Sequence, residues 1–394
     1  MSEENVVIVA ARRTPIGSFQ GTLSTVPAPD LGATAAAAAI ADAGLKPEEL
    51  NEVILGCVLP AGIGQAPARQ AALAAGLTTA TGCTTINKVC GSGMKAVMLA
   101  NDLIRAGSAD IVLAGGMESM SLAPYLLPKA RGGYRMGHQQ VLDHMFFDGL
   151  QNPYDNNMMG HFAELTADKY QFTRDAQDDF SITSVRRALS AIEDGVFAEE
   201  IAPVLVKSRR GETRVDTDEE PGRCDLEKIT QMRPAFRRDG GTVTAASSSS
   251  ISDGAAALIL MRESEAKKRG IAPLVRIAGH SGFAHAPEWF TTAPVFAVEA
   301  LQKSLGWSAE STDLYEINEA FAVVAMAAIT DLKLDHDKVN VNGGACALGH
   351  PIGASGARLI VTLIHALRQR KLKTGIASLC IGGGEATAIG IEAL

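Results

Sequence analysis

Residues 91–118 read GSGMKAVMLANDLIRAGSADIVLAGGME, and residues 354–385 read ASGARLIVTLIHALRQRKLKTGIASLCIGGGE. Both stretches begin with small residues, continue through a helical pattern, and end in a short apolar run that is followed by glycines. Each pattern predicts a helix that leads into a buried strand. Because the same order occurs twice, far apart in the chain, the sequence predicts two homologous halves.

A second pair of segments supports this duplication. The first predicted helix begins near residue 28, is capped at Asp30 and ends at Gly44, before a predicted strand at 53–56. Residues 293–306 and 315–318 repeat that helix and strand at nearly the same offset. Alternating helices and short apolar runs favour an α/β fold with a parallel or mixed sheet. Repeats of this length indicate duplicated domains rather than a solenoid.

The middle of the chain breaks the repeat. Residues 121–250 carry polar and basic clusters and a predicted helix at 175–194, which indicates an inserted loop domain that binds substrate. We expect an N-terminal domain formed by residues 1–120 and 251–271, and a C-terminal domain at 272–394.

Composition excludes several classes of protein. The chain has 394 residues and a net charge of −8, which argues against nucleic acid as a partner. No apolar run approaches the ~18–20 residues that cross a bilayer, so we expect no membrane partner. The six cysteines form no C-x-x-C pair, which argues against a disulfide framework and against a metal site. A cytoplasmic enzyme is the expected class.

Cys90 is the first candidate for chemistry. It lies in residues 87–94, NKVCGSGM, where a strand-like segment meets the start of a helix. A helix dipole and free backbone amides lower the pKa of a cysteine, and the nearby glycines admit another molecule. The alternative is a small, buried structural cysteine.

His350 is the second candidate. It lies in residues 343–356, GGACALGHPIGASG, where glycine and proline fix the position of the imidazole. Histidine suits the activation of a thiol near neutral pH. The alternatives are a core histidine, or a phosphate cradle, although the spacing G-x-G-x-x-G after a strand is missing.

The ends of two further predicted strands carry polar groups. In residues 379–385, LCIGGGE, we expect a turn to expose Cys380 and to leave the amide of Gly382 free to donate. In residues 316–321, EINEAF, Asn318 is suited to hold a water or a substrate oxygen, unless it is an ordinary turn asparagine. Strand ends and helix starts are where α/β folds place active sites.

Four short motifs together resemble the motif blocks of the thiolase family: CGSGM at 90–94, NEAF at 318–321, GHPIGA at 349–354 and CIGGG at 380–384. The resemblance extends over essentially the whole chain. It implies the thiolase fold, an α/β fold in which two duplicated βαβαβαββ-type halves form five layers, α-β-α-β-α, with an inserted loop domain. It also implies a homo-oligomer, either a dimer or a tetramer.

The resemblance implies a division of catalytic roles. Cys90 would attack an acyl thioester, His350 would take the thiol proton, and Cys380 would move the proton on the carbon alpha to a second thioester. A water held by Asn318 would form one oxyanion hole with His350, and the amides of Cys90 and Gly382 would form the other. Coenzyme A would be a substrate and product, with no further cofactor.

Residues for substrate binding also follow from the resemblance. Ser249 matches a family serine that contacts the pantetheine arm, although the surrounding serine segment departs from the family pattern. Met158 stands where biosynthetic relatives usually have histidine. Arg223 is a candidate for the adenine phosphate, and the bulk of Phe290 would narrow the acyl pocket and favour short chains. The full expected binding set is Ser249, Arg223, Met159, Phe290, Ala320 and Phe321.

The expected reaction is the reversible condensation of two acetyl-CoA molecules to acetoacetyl-CoA, in fatty-acid metabolism. One alternative is a 3-ketoacyl-CoA thiolase with a longer chain range, and another is a catalytically silent protein that binds acyl-CoA. A ketoacyl synthase would need two histidines around its cysteine, whereas Cys380 stands at the second position here. A nicotinamide dehydrogenase would need a glycine fingerprint after the first strand.

Overall fold

The structure is a computed structural model and describes residues 4–209 and 211–394. The strands in chain order are β1 (Val6–Arg13), β2 (Gly17–Ser18), β3 (Glu52–Gly56), β4 (Gly82–Ile86), β5 (Ile111–Ser119), β6 (Tyr125–Leu126), β7 (Leu142–Asp143), β8 (Val204–Ser208), β9 (Gly211–Val215), β10 (Ser252–Arg262), β11 (Val275–Ala284), β12 (Leu314–Ile317), β13 (Thr374–Ile381) and β14 (Glu385–Ala393). The α-helices are α1 (Ala28–Asp42), α2 (Pro67–Ala74), α3 (Ser92–Ala106), α4 (Met159–Tyr170), α5 (Arg174–Glu193), α6 (Glu219–Arg223), α7 (Leu226–Ile229), α8 (Glu263–Arg269), α9 (Ala293–Leu305), α10 (Ala322–Leu332), α11 (Ala345–Leu348) and α12 (Ile352–Arg370).

The main sheet shows the duplication directly. Its strand order is β12-β13-β14-β11-β1-β10-β5-β3-β4. In one half β3 runs parallel to β5, and β5 runs antiparallel to β10; in the other, β12 and β13 are parallel and β13 and β14 are antiparallel. The halves join where Val7 and Ile8 of β1 pair with Arg276 and Val275 of β11. The duplicated α/β fold expected from the sequence is therefore confirmed.

Helices fill three layers around the two halves of the sheet. Helices α3 and α12 pack against each other in the central layer, within a core that includes residues of β5, β10 and β13. Helices α1 and α2 cover the outer face of the first half, and α9 and α10 cover that of the second. The order of layers is thus α-β-α-β-α. A Cβ on Gly356 would lie 2.5 Å from the backbone nitrogen of Met94, so glycine permits the close approach of α12 to α3.

The inserted region is attached to the first strand through buried charges. Arg13 of β1 is fully buried, and its guanidinium donates to Glu200 at 2.6 Å and to both carboxylate oxygens of Asp218 at 2.7 and 2.8 Å. A buried cation is tolerated when anions pair with it at hydrogen-bonding distance. This cluster holds the chain around Glu200 and Asp218 against the first half.

The first helix begins where it was predicted, but its cap is a different residue. It begins at Ala28, with Pro27 at the N-cap, so Asp30 lies inside the first turn and is not the cap. Proline at Pro29 suits this first turn, where no internal hydrogen bond is lost. The other end agrees with the prediction, since Gly44 follows in the left-handed conformation with φ of 63°. Within the described part of the chain, we find no helix that combines the length and apolar character needed to cross a membrane.

Candidate active site

The candidate site is a cavity of about 190 Å³ where the two halves meet the inserted region. Cys90 and His350, from opposite halves, both line it. Most of the remaining wall is apolar. A small apolar cavity with a few converging polar groups is the usual form of a small-molecule site.

The loop before α3 holds Cys90 in a constrained position. Ser92 Oγ accepts from the amide of Lys88 at 2.8 Å and donates to the carbonyl of Val89 at 2.7 Å. Val89 has a φ of 48°, which a β-branched residue rarely adopts. Cys90 is half-buried and directly precedes Gly91, the N-cap of α3. The loop therefore presents the sulfur at a helix start, as expected.

Gly91 allows this loop to lie directly against the end of β13. A Cβ on Gly91 would come within 2.4 Å of Ile381 Cδ1. The first residue after β13 is Gly382, whose backbone N–H donates toward the sulfur of Cys90. The amides of Cys90 and Gly382 thus both act on the same sulfur.

The pKa of Cys90 moves in the direction opposite to the expectation. Burial raises it to about 11, and the charge of Glu118 contributes, whereas the amides of Gly382 and Cys90 oppose the change. The expectation of a lowered pKa is wrong because loss of hydration outweighs the favourable amides. The resting thiol is protonated at neutral pH and needs a base.

His350 has the geometry of such a base. Its backbone N–H donates to Ser250, and its Nδ1 lies 2.6 Å from Ser355 Oγ. Since Ser355 donates its own proton to the carbonyl of Pro351 at 2.9 Å, its oxygen accepts from Nδ1. This assigns the ring proton to Nδ1 and leaves Nε2 as an acceptor.

The imidazole is neutral at physiological pH. Burial lowers the pKa of His350 to about 3, and the positive charge of Arg358 acts in the same direction. A neutral ring can accept the proton that the thiol of Cys90 must lose. The resting site therefore contains a neutral thiol and a neutral imidazole.

Asn318 lies beside His350, behind the cavity wall. It follows β12, and its backbone N–H donates to Ser378 of β13 at 3.0 Å. Its Nδ2 lies 3.5 Å from Nε2 of His350, and its side chain is fully buried. Its Oδ1 has no hydrogen-bond partner among the described residues. The structure thus brings Asn318 and His350 together.

Cys380 is placed differently from the expectation. It lies within β13 and is fully buried, packed in a cluster with Phe290, Ala320 and Phe321. The expectation that a turn exposes it is wrong, because aromatic residues distant in sequence fold over the strand end. Burial raises its pKa well above the ordinary value, and a thiolate at nearby Cys90 would raise it further. Cys380 is therefore a protonated thiol adjacent to Cys90.

Most of the expected binding residues line the cavity: Ser249, Met159, Phe290, Ala320 and Phe321. The amide and hydroxyl of Ser249 both donate to the carbonyl of Ala320 at 3.0 Å. Arg223 does not line the cavity; it is exposed and forms an ion pair with Glu219 at 3.1 Å. Its role toward a phosphate stays a prediction.

Part of the cavity wall was not predicted from the sequence. The additional lining side chains include Met120, Phe146, Leu150, Phe236, Ile251 and Ile352. Phe236 meets Phe321 edge to face, with ring centroids 5.9 Å apart. Phe146, Leu150 and Phe236 belong to the inserted region, where isolated apolar residues in a polar segment were the available signal.

A buried carboxylate that does not line the cavity was also missed. Glu118 receives the amides of Val58 at 3.0 Å, Leu59 at 3.1 Å and Gly353 at 2.9 Å. Burial raises its pKa to about 7. Glu118 therefore connects the loop after β3 to the start of α12, and so ties together the two halves that supply Cys90 and His350.

Comparisons with known proteins agree with this geometry. The family model for the thiolase N-terminal domain matches residues 6–264, and that for the thiolase C-terminal domain matches 271–393. Acetyl-CoA acetyltransferase 2 of Arabidopsis thaliana is 49% identical over 100% of this chain and 98% of its own. Acetyl-CoA acetyltransferase of Chromobacterium violaceum is 50% identical over 98% of this chain and 99% of its own. The crystal structure of the Bacillus anthracis acetyl-CoA acetyltransferase superposes with a TM-score of 0.97 at 43% identity, covering 100% of this chain and 99% of that one. The chain belongs to the thiolase family.

Proposed function

We propose that this protein is an acetyl-CoA C-acetyltransferase, which joins two acetyl-CoA molecules to give acetoacetyl-CoA and coenzyme A, or runs the reverse cleavage. The observation that carries the proposal is that Cys90 and the unprotonated Nε2 of His350 share one small apolar cavity, with the buried thiol of Cys380 close to Cys90 behind the wall. Two thiols and a base suit a reaction that needs one nucleophile and one separate proton carrier. Full-length relatives with this name support the same activity.

In the first half-reaction, the sulfur of Cys90 attacks the thioester carbon of acetyl-CoA and passes its proton to Nε2 of His350. The carbonyl oxygen becomes an oxyanion facing the amides of Cys90 and Gly382. The bond to the coenzyme A sulfur then breaks, and the leaving thiolate takes the proton of Cys380. The products are an acetyl thioester on Cys90, an imidazolium, a Cys380 thiolate and free coenzyme A. Oxyanion donors of this kind contribute about 10²–10³ each in rate.

In the second half-reaction, the thiolate of Cys380 removes a proton from the methyl group of a second acetyl-CoA. His350 and a water on Asn318 would stabilise the resulting enolate oxygen. The enolate carbon attacks the acetyl group and breaks its bond to Cys90, whose sulfur regains the proton from His350. Both cysteines return to the protonated state that burial favours.

The acyl chain accepted is short, because aromatic side chains occupy the cavity wall. Phe146, Phe236, Phe290 and Phe321 all line a space of about 190 Å³. The test is the rate of coenzyme A-dependent cleavage against the chain length of 3-ketoacyl-CoA. We expect acetoacetyl-CoA to be cleaved fastest. Faster cleavage of ten- or sixteen-carbon substrates would instead favour the long-chain alternative.

We further propose that residues 121–250 form the domain that binds coenzyme A, beside an N-terminal domain (1–120 and 251–271) and a C-terminal domain (272–394). The cavity lining from Phe146, Leu150 and Phe236 supports this division. Thiolysis kinetics of an Arg223→Ala variant, measured with coenzyme A and with a pantetheine substrate that lacks the adenine phosphate, test the phosphate assignment. A higher KM for coenzyme A alone is expected.

We also propose a homo-oligomer, a dimer or a tetramer, which works in the cytoplasm in fatty-acid metabolism. Strand β4 stands at the end of the sheet order, and Tyr125, Met136 and Tyr154 are 67%, 88% and 74% exposed. Sheet ends and exposed apolar side chains are common places of subunit contact.

All six cysteines are free, as is usual in a reducing compartment. Sedimentation velocity tests the assembly, and cell fractionation tests the location.

A further inference from the structure

The carboxylate of Glu319, the residue after Asn318, joins three separate segments of the chain. Its Oε1 accepts from Nδ2 of Asn340 at 2.8 Å. Its Oε2 accepts from Oγ of Ser184 at 2.7 Å and from the backbone N–H of Cys346 at 3.1 Å. The side chain is 1% exposed, so these contacts are its replacement for water.

The contact to Asn340 reaches the strand end that presents Asn318. Asn340 Oδ1 accepts from the backbone N–H of Ile317 at 2.8 Å, and its Nδ2 donates to the carbonyl of the same residue at 2.8 Å. Ile317 bonds to both ends of this amide, so a flip would lose these two hydrogen bonds and the one to Glu319. Glu319 is thereby anchored to the last residue of β12, immediately before Asn318.

The contacts at Oε2 reach the segment that leads to His350. Cys346 lies in α11, which ends two residues before His350. Ser184 lies on α5 of the inserted region, and its oxygen also accepts from the amide of Gly344 at 2.9 Å. Glu319 and Ser184 therefore hold the start of the His350 segment from two sides.

The glycine pair at the start of this segment is explained by the same contacts. A Cβ on Gly344 would lie 2.2 Å from Cδ of Glu319, and a Cβ on Gly343 would lie 2.6 Å from the carbonyl oxygen of Ser184. Gly343 also has a φ of 82°. Only glycine at these two positions leaves room for the carboxylate of Glu319 and for helix α5. Their presence is therefore explained by packing, without a phosphate-binding role.

We infer that Glu319 is a positioning residue that sets the separation of Asn318 and His350 and couples this pair to helix α5. The inference rests on the proposed function, in which the pair holds the oxygen of the second acyl-CoA. The first oxyanion uses the amides of Cys90 and Gly382, which lie on other segments, and the tautomer of His350 is held by Ser355. Both half-reactions use Nε2 of His350, but only the condensation uses Asn318, so Glu319 serves the condensation step more than the acetylation of Cys90.

Glu319→Gln is the sharpest test, because a carboxamide cannot accept from all three donors. If the new carboxamide turns its oxygen toward Asn340, its NH₂ group faces the backbone N–H of Cys346, which is also a donor. In the opposite orientation, its NH₂ group faces Nδ2 of Asn340, again a donor. Either orientation breaks one contact while side-chain volume is kept. Glu164→Gln is the matched control, since Glu164 is equally buried and receives backbone amides of Thr242 and Val243, but bonds neither to the segment of Asn318 nor to that of His350.

The experiment measures two rates on the full-length protein with acetyl-CoA: acetylation of Cys90 by mass spectrometry, and steady-state condensation. For Glu319→Gln we expect condensation kcat to fall about ten-fold or more, with acetylation changed by less than about three-fold and KM for acetyl-CoA retained. Glu164→Gln should keep both rates. A Glu319→Gln protein with unchanged kcat, or with both rates lowered equally, would overturn the inference. A parent protein that is never acetylated would instead overturn the proposed function.

A second variant tests the coupling of Glu319 to α5. It can also be measured if the Glu319→Gln protein does not fold. Ser184→Ala removes one donor from Oε2 and the acceptor of Gly344. We expect Ser184→Ala to lower condensation kcat selectively, by a smaller factor than Glu319→Gln does. The double variant should have the same condensation kcat as Glu319→Gln alone. Fully multiplicative losses in the double variant, or a Ser184→Ala protein without selective loss, would contradict the coupling.

Discussion

Ser355 and His350 are joined by a hydrogen bond of 2.6 Å between Oγ and Nδ1. The serine lies in the first turn of α12, where every residue from Ile352 to Leu367 is buried. A helix buried on all sides is held rigidly by its neighbours. The position and protonation of the imidazole therefore depend on the central layer of the fold rather than on a surface loop.

Replacing this serine should weaken the base. Ser355→Ala removes the acceptor of the Nδ1 proton, so the tautomer with the proton on Nε2 becomes populated. We expect kcat for acetoacetyl-CoA cleavage to fall about ten-fold, with a KM close to that of the parent. Ser304→Ala is the control, because Ser304 also donates to a carbonyl one turn back, at 2.8 Å from Leu301, but lies far from the cavity. Equal activity of the two variants would contradict the assigned role.

The nucleophile can be tested by the site of acetylation. In Cys90→Ala the acetyl group has no sulfur to occupy, so peptide mass spectrometry after brief exposure to acetyl-CoA should find no acetylated cysteine. Cys224→Ala, which alters a half-buried thiol away from the cavity, should retain full labelling of Cys90. Acetylation at normal yield in Cys90→Ala would refute the mechanism.

The second thiol should separate the two half-reactions. Cys380→Ser keeps the shape of the side chain but supplies a hydroxyl, which is a far weaker acid and a poorer proton carrier. We expect condensation kcat to fall by about 10² or more, while Cys90 can still be acetylated. Loss of acetylation and condensation to the same degree would show that Cys380 does not act mainly on the second substrate.

Alkylation of the free enzyme should report the raised pKa of Cys90. Since burial raises this pKa to about 11, the thiolate fraction grows throughout the range from neutral to mildly alkaline pH. The rate of inactivation by iodoacetamide should thus rise close to ten-fold per pH unit between about pH 7 and 9.5. A plateau near pH 7 would indicate a lowered pKa, as an activated resting thiolate requires.

Chain-length preference should respond to Phe290. This side chain is 3% exposed, lines the cavity and meets Phe162 edge to face at 6.3 Å. Phe290→Leu should increase cleavage of a six-carbon 3-ketoacyl-CoA relative to acetoacetyl-CoA by about 10-fold. Phe180→Leu makes the same change at a buried phenylalanine of α5, outside the cavity, and should leave that ratio unaltered.

The repeated pattern predicted the strands and helices that carry the catalytic motifs, because each half buries its own apolar runs at regular spacing. The part of the cavity wall formed by Phe146 and Phe236 could not be predicted in the same way. These residues do not belong to a periodic apolar pattern, and they pack against residues far away in the sequence. The expectations of a lowered pKa at Cys90 and of an exposed Cys380 were wrong for the same reason. Burial depth depends on neighbours from several segments, whereas helix starts and strand ends can be identified locally.

Gly91 has a consequence for any attempt to redesign this enzyme. Its missing side chain lets the first cysteine's loop touch Ile381, next to the second cysteine. A methyl group there would come within 2.4 Å of Ile381 Cδ1, so the side chain of Ile381 or the loop that carries the nucleophile would have to move. A library that varies the aromatic wall can therefore alter which chains enter, but it should leave this glycine untouched.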